Sequence, residues 1–310
     1  MRKDRPAPAP LLEPLSYPGR PVTAPSLLLG GGLLPLYVRG TRLGDWYVEE
    51  ETRQQSLDDA LCDLGGAVTG RRTPVIAVGS NASPEQVRYK LTRLGVRSIL
   101  PMVPVLVRGV RVGCSGHISP AGYVARTPYA DRDAATVLVV SWLDSAQLEA
   151  IDSTELANFR RAMLPGDVFE MTMPSGERLD GAYLYVSAHG VLLDPDGMPR
   201  PCDGDQSALL AALLGASPRL RELLGPDPAA WVRKARADRA VREAGTQIFG
   251  DEGWVRPLTD FVPWTTRSPR NHSVTAWPEP SRSGYPPSSY GGVRPEGLCP
   301  DDPKADGAAE

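Results

Sequence analysis

The chain has 310 residues and a formal net charge of −3; 41% of its residues are hydrophobic and 23% are charged. These values allow a sizeable hydrophobic core, and they give no reason to expect nucleic acid or an anionic membrane as a partner. Because no stretch is apolar enough over the thickness of a bilayer, we expect a cytoplasmic protein.

The four cysteines, Cys62, Cys114, Cys202 and Cys299, include no Cys-x-x-Cys pair. A disulfide framework is therefore not expected, and we predict reduced thiols. The segment 114–117, which reads Cys-Ser-Gly-His, is interpreted as a surface loop or a strand end. No further ligand pair is close enough in sequence to favour a metal site there.

Proline is concentrated at the two ends of the chain. We predict an irregular N-terminal arm over residues 1–25 and a disordered tail over residues 265–310. Residues 26–244 are expected to form one domain, in which N-terminal and helical C-terminal extensions flank a central part.

The first organised motif is a buried strand, a small-residue turn and a capped helix. The apolar run Val75–Val78 suits a buried strand, and it leads into Gly79-Ser80-Asn81, called the GSN loop below. Ser83 and Pro84 are typical of a helix start and predict a helix over 84–94. This arrangement directs backbone N–H groups at one spot, which suits a carboxylate or a developing oxyanion. A purely structural turn explains the same motif equally well.

The remaining pattern predicts short strands followed by helices. Strands are expected at 102–112, 122–126, 135–142, 167–173 and 179–187, the last two joined as a hairpin by a turn at 174–177. Helices are expected at 56–64, 144–159, 206–215, 217–224 and 228–244. The basic residues of the last helix are interpreted as a solvated face and not as a nucleic-acid site.

Glu155 occupies an unexpected position on the helix predicted for 144–159. Leu148, Ile151 and Phe159 share its stripe at helical spacing, so the carboxylate is expected to face inward. A carboxylate that faces inward needs a charged or hydrogen-bonding partner, because its neutral form is otherwise favoured. A carboxyl group whose pKa is raised in this way is suited to act as a general acid or base near neutral pH. In the alternative interpretation, Glu155 pairs with Arg160, Arg161 or another buried donor.

Four segments in this order resemble the γ-glutamylcyclotransferase-like family. They are Val78-Gly79-Ser80-Asn81, Trp142-Leu143-Asp144, the helix segment Leu148–Glu155 and the strand segment Gly181–Val186. The resemblance covers residues 74–187. It implies an α+β fold in which a small mixed β-barrel is surrounded by flanking helices and irregular tails.

The resemblance also implies an activity. Enzymes of this family cleave a γ-glutamyl amide by intramolecular cyclisation to 5-oxoproline. Glu155 would be the acid/base, and Gly79, Ser80 and Asn81 would bind the α-carboxylate or the carbonyl oxygen. The nucleophile is the substrate's own amine, so neither a metal nor another cofactor is expected.

The substrate-binding set predicted from these arguments also includes Val78, Phe159 and Arg160. An arginine after the helix could recognise a substrate carboxylate, although a solvent-exposed helix end is equally consistent with Arg160. Val78 and Phe159 stand where family members usually have other residues, tyrosine among them. A non-catalytic protein of the same fold that binds a small carboxylate or amide ligand is therefore the alternative. The sequence does not decide the oligomeric state.

Overall fold

The computed structural model describes residues 8–50, 53–202 and 204–265. Within these ranges, no helix has both the length and the apolar character needed to cross a membrane. The predicted disordered tail lies outside the described residues, apart from Thr265. The first seven residues of the predicted arm lie outside them as well.

The described residues form twelve strands and seven α-helices. The strands are β1 (Ser26–Leu29), β2 (Gly32–Tyr37), β3 (Tyr47–Glu50), β4 (Arg53–Ser56), β5 (Thr73–Ala77), β6 (Ile99–Ile118), β7 (Val124–Leu143), β8 (Phe159–Pro165), β9 (Met171–Thr172), β10 (Gly181–Ser187), β11 (Val191–Leu192) and β12 (Val255–Arg256). The helices are α1 (Leu57–Asp63), α2 (Pro84–Arg93), α3 (Ser145–Glu155), α4 (Gln206–Ala216), α5 (Pro218–Leu224), α6 (Pro228–Ala237) and α7 (Arg239–Asp251). All except α2 follow a Ser or Asp whose side chain accepts a hydrogen bond from the first turn, which explains where they begin.

Nine strands form one continuous path in the order β4-β3-β2-β1-β6-β7-β5-β10-β8. Their pairings are antiparallel except for β5 with β10, so the fold is α+β with a mixed sheet. The prediction of a small β-barrel is wrong, because the sheet formed by the described residues does not close on itself. A barrel requires the two edge strands to pair with each other, but β4 and β8 form no such pairing in the part of the chain that is described. The hairpin strands β1–β4 instead extend the sheet at one end.

Two strands of twenty residues, β6 and β7, dominate the sheet. They replace the three short strands predicted at 102–112, 122–126 and 135–142. Glycines are accommodated inside β6, where the pairing with β7 shifts register between Arg108 and Val110. Gly109 has a φ of +82° at that shift, a conformation that glycine adopts without steric cost.

The region after Glu155 differs from its prediction. Helix α3 ends at Glu155 and not near residue 159, and Phe159 begins strand β8, which was not predicted. β8 is the antiparallel partner of β10 along its whole length. The predicted hairpin strand at 167–173 is reduced to β9, which pairs with β6. A short linker thus returns the chain directly from α3 into the sheet.

Alternating side chains place two hydrophobic cores on opposite faces of the sheet. Ile76 packs into the core of one face, whereas its neighbours Val75 and Ala77 pack into the core of the other. The second core also contains side chains of α2 and α3, for example Val87 and Ile151. Both helices therefore lie on the same face, at the end of β5.

A third core joins the C-terminal helices to the far half of β6 and β7 around Trp231 and Phe249. The single helix predicted at 228–244 is two helices, α6 and α7, because Asp238 leaves the helical conformation and caps α7. Cys114 and Cys202 form a disulfide with Cα atoms 5.6 Å apart, which corrects the prediction of reduced thiols. Their separation of 88 residues leaves no local sequence signal.

Candidate functional site

A cavity of about 170 Å³ lies at the end of β5. Most of the predicted site residues line it: Val78, Gly79, Ser80, Asn81, Glu155 and Phe159. Arg160 does not, because it faces solvent on β8. The arginine at the cavity wall is Arg126 of β7, which the sequence analysis did not select.

The carboxylate of Glu155 is held at one oxygen. Glu155 Oε1 accepts hydrogen bonds from Lys90 Nζ at 2.5 Å and from Asn81 Nδ2 at 3.1 Å. Lys90 Nζ also donates to Asn81 Oδ1 at 2.8 Å, which closes a three-residue ring. No described residue donates to Oε2, which leaves that oxygen available to a ligand.

Both charged side chains of this pair are largely shielded from water, with relative exposures of 6% for Lys90 and 14% for Glu155. The interpretation in which Glu155 pairs with a buried donor is therefore the one observed. The donor is Lys90 of α2, because Arg160 is exposed and Arg161 forms an ion pair with Asp152. A sequence signal existed: Lys90 lies on the buried face of α2 with Val87 and Leu91.

The GSN loop is folded into a single 3-10 turn, Ser80–Ala82. The amides of Ala82 and Ser83 are used within the turn, donating to the carbonyls of Gly79 and Ser80. The amide of Asn81 has no backbone acceptor among the described residues. The loop therefore offers fewer free N–H groups than its sequence indicated.

Tyr17 of the N-terminal arm forms another wall of the cavity. Its ring stacks on Tyr123 with the ring centroids 4.1 Å apart, and its hydroxyl accepts a hydrogen bond from the Arg126 amide at 2.7 Å. Burial raises the pKa of Tyr17 to about 12, so the hydroxyl is protonated at neutral pH. Sequence analysis missed this residue because the arm has no periodic pattern.

The end of α3 is fixed to the sheet by a second buried cluster. Tyr185 of β10 donates to Asp152 Oδ1 at 2.6 Å, and Arg161 Nη1 lies 2.5 Å from Asp152 Oδ2. Burial raises the pKa of Asp152, while its bonds to Tyr185 and Arg161 oppose that rise. Since Glu155 follows Asp152 by one helical turn, this cluster fixes the orientation of the Glu155 side chain.

His117 lines the cavity from near the end of β6 and does not lie in a surface loop. It is 2% exposed, and its Nδ1 lies 2.6 Å from Ser115 Oγ, which lies 2.7 Å from Ser187 Oγ. Burial, with a smaller contribution from the nearby His189, lowers the pKa of His117 to about 3, so the ring is neutral. No group of three or more His, Cys, Asp or Glu side chains in the described residues is placed to hold a metal ion.

The cavity thus combines one available carboxylate oxygen, a buried ammonium group and several neutral donors. This set could bind a small zwitterionic or amide-containing molecule and could accept a proton from it. Among the described residues, the cavity lining includes no cysteine, and Ser115, whose hydroxyl contacts His117 and Ser187, is fully buried and does not line the cavity. Cys114 is in the disulfide.

No family model and no curated protein match the sequence. Matching solved structures include two solution structures of proteins from Arabidopsis thaliana. One is 16% identical, covering 49% of this chain and 81% of that one with a TM-score of 0.31. The other is 13% identical, covers 60% of this chain and 96% of that one, and has a TM-score of 0.32. A third is a gamma-glutamyl cyclotransferase, 9% identical over 56% of this chain and 98% of that one, with a TM-score of 0.30. Likenesses of this size carry no argument about activity.

Proposed function

We propose that this chain is a γ-glutamylcyclotransferase-like enzyme that cleaves a γ-glutamyl amide by cyclisation to 5-oxoproline. The proposal depends above all on one observation: Glu155 Oε1 is anchored by Lys90 and Asn81, while Oε2 is left without a protein donor in the cavity that the GSN loop lines. A base that is fixed at one oxygen and available at the other is suited to proton transfer.

In the proposed reaction, Glu155 Oε2 takes a proton from the substrate's α-ammonium group. The freed amine forms a bond to the γ-carbonyl carbon, and the carbonyl oxygen becomes an oxyanion. As this intermediate collapses, the amide C–N bond breaks and Glu155 gives its proton to the leaving nitrogen. The second proton on the ring nitrogen then passes through Glu155 to the released amine, which leaves as an ammonium ion. No water is consumed, and ring closure needs only a folded substrate, one base and oxyanion donors.

Lys90 and Asn81 have supporting roles in this proposal. The ammonium group of Lys90 compensates the charge of the ionised carboxylate, which would otherwise be costly to bury. The backbone N–H group of Asn81 and the positive charge of Lys90 would attract the α-carboxylate of the substrate. Together they would orient the α-ammonium group toward Oε2.

The test is the formation of 5-oxoproline from γ-glutamyl amides. We expect Glu155→Gln to lower kcat by about 10²–10⁴-fold, since it removes the base and keeps the side-chain shape. Glu149→Gln is the matched control, because Glu149 is exposed on the same helix. Equal rates for wild type and Glu155→Gln would remove Glu155 from the mechanism.

A non-catalytic binding protein of the same fold is the second candidate. The observation that favours it is the ion pair itself, because Lys90 already compensates Glu155 and a substrate ammonium group must share the carboxylate with it. This candidate predicts that calorimetry detects binding of γ-glutamyl amides or 5-oxoproline while no product forms. Product formation that depends on Glu155 would exclude it.

A further inference from the structure

Tyr17 is a cavity residue that lies far in sequence from the motifs that suggested the site. It belongs to the arm before β1, outside residues 74–187 on which the family resemblance rests. Its side chain is nevertheless 6% exposed and lies between the GSN loop and Tyr123. The arm therefore completes the cavity and does not simply precede the domain.

The backbone of the GSN loop comes unusually close to the Tyr17 hydroxyl. A Cβ atom added to Gly79 would stand 2.4 Å from Tyr17 Oη, so only glycine leaves room for the hydroxyl at this place. The Arg126 N–H group donates to this hydroxyl at 2.7 Å, so Oη is held between the GSN loop and β7.

This hydrogen bond determines what the hydroxyl can do next. A phenol oxygen that accepts a hydrogen bond from an N–H group still has its own proton to donate. No described residue accepts the Tyr17 proton, and the cavity lies beside it. Glu155 and Tyr123 line the same cavity, so the carboxylate and the two tyrosine side chains share one space.

We propose that the Tyr17 hydroxyl donates a hydrogen bond to the scissile carbonyl oxygen of the substrate and stabilises the developing oxyanion. This role rests on the proposed cyclotransferase function. The Arg126 N–H group that donates to Oη polarises its O–H bond, so the backbone of β7 acts on the substrate through Tyr17. A donor fixed before the reaction needs no reorganisation when charge develops. Tyr17 would thus be a catalytic residue supplied by the arm.

The substitution Tyr17→Phe removes only the hydroxyl. We expect kcat for a γ-glutamyl amide to fall by about 10²–10³-fold, the usual effect of removing one oxyanion donor, with a much smaller change in KM. Tyr37→Phe is the matched control, because Tyr37 is exposed on β2, away from the cavity. A loss of packing alone would not change kcat and KM in this unequal way.

The outcomes separate this role from the proposed function. If Glu155→Gln abolishes activity and Tyr17→Phe retains kcat within about threefold, the role of Tyr17 is overturned and the function stands. Calorimetry with 5-oxoproline gives a readout besides activity: Tyr17→Phe should change its Kd by less than about threefold, because the donor bonds the oxyanion more strongly than a neutral carbonyl. A loss of binding as large as the fall in kcat would overturn the donor role. A wild type that neither forms nor binds 5-oxoproline would overturn both.

A double substitution tests the contact itself. Gly79→Ala should lower Tm because its Cβ collides with Tyr17 Oη, while Tyr17 Cζ at 3.4 Å is in ordinary contact. Adding Tyr17→Phe removes the colliding atom, so the double variant should regain part of the lost Tm. If Tyr17→Phe gives no recovery, the hydroxyl does not lie against the loop and the proposal is wrong.

Discussion

Buried polar residues at the cavity each have a specific partner. Lys90 and Glu155 lie on otherwise apolar helix faces, and each compensates the charge of the other. His117 is kept neutral, with Ser115 at its Nδ1 and His189 stacked at a ring-centroid distance of 4.6 Å. The free-energy cost of burying such groups is offset only while these contacts persist. A change in the protonation of these groups therefore changes the stability of the protein.

The stability of the protein should depend on pH through His117. Its pKa is about 3 when folded, against an ordinary value of 6.5. Between these values the unfolded chain binds a proton that the folded chain does not, so this contribution to stability is present above pH 6.5 and lost as pH falls. The loss should be about 1.4 kcal/mol per pH unit.

The measurement is urea unfolding of wild type and His117→Gln at several pH values between about 4 and 7, where an unperturbed histidine titrates. The free energy of unfolding of the variant should depend less steeply on pH. His189 titrates in both proteins, so it cancels in the comparison. Parallel curves for the two proteins would show that His117 is not buried in its neutral form.

Close backbone approaches hold the secondary-structure elements around the cavity. Strand β6 passes directly against the turn that contains His189 and Gly190, and the Gly116 amide donates to the Gly190 carbonyl at 3.1 Å. A Cβ atom at Gly116 would stand 2.3 Å from the carbonyl oxygen of His189. Because that atom belongs to the backbone, it cannot move aside as the end of a side chain can.

Gly116→Ala should therefore destabilise the protein by about 1–3 kcal/mol, as overpacking of a close contact does. Gly250→Ala is the control: Gly250 lies in α7, and an added Cβ has nothing within 4 Å. There the substitution should stabilise by about 0.5–1 kcal/mol, because alanine is the better helix former. Urea unfolding measures both, and equal effects would contradict the close approach.

The whole molecule is a large open sheet with helices at several places around it. The disulfide between Cys114 and Cys202 connects β6 to the segment just before α4. The C-terminal helices pack on the same half of β6, so this crosslink and the third core act on one interface. Arg126, whose guanidinium donates to the Cys202 carbonyl at 2.5 Å, also extends from there to the cavity.

Removing the crosslink with Cys202→Ser should cost about 4 kcal/mol of unfolding free energy, since the disulfide closes a long loop and restricts the unfolded chain. The loop spans 88 residues. Urea unfolding measures the loss, and Cys114→Ser should give a similar value because either change breaks the same bond. A loss below about 1 kcal/mol in both variants would show that the crosslink does not stabilise the fold.

Local signals in the sequence predicted the parts of the fold that local hydrogen bonds determine. The start of the helix predicted for 144–159 is confirmed, with a capping box formed by Asp144 and Gln147, as are the strand before the GSN loop and the helix after it. A cap involves residues three positions apart, so its residue types are enough to recognise it. The end of α3 was misplaced because Phe159 continues the apolar spacing after the helix has stopped.

The sequence by itself determined that Glu155 would turn toward the interior, because helical periodicity sets the direction of a side chain. Its place beside the GSN loop was implied by the family resemblance alone. Only the tertiary structure decided which groups meet it there. Lys90, Tyr17 and His117 come from α2, the arm and β6, and their contacts depend on the register and curvature of an open sheet. Those are properties of long-range pairing, which the spacing of residues along the chain does not encode.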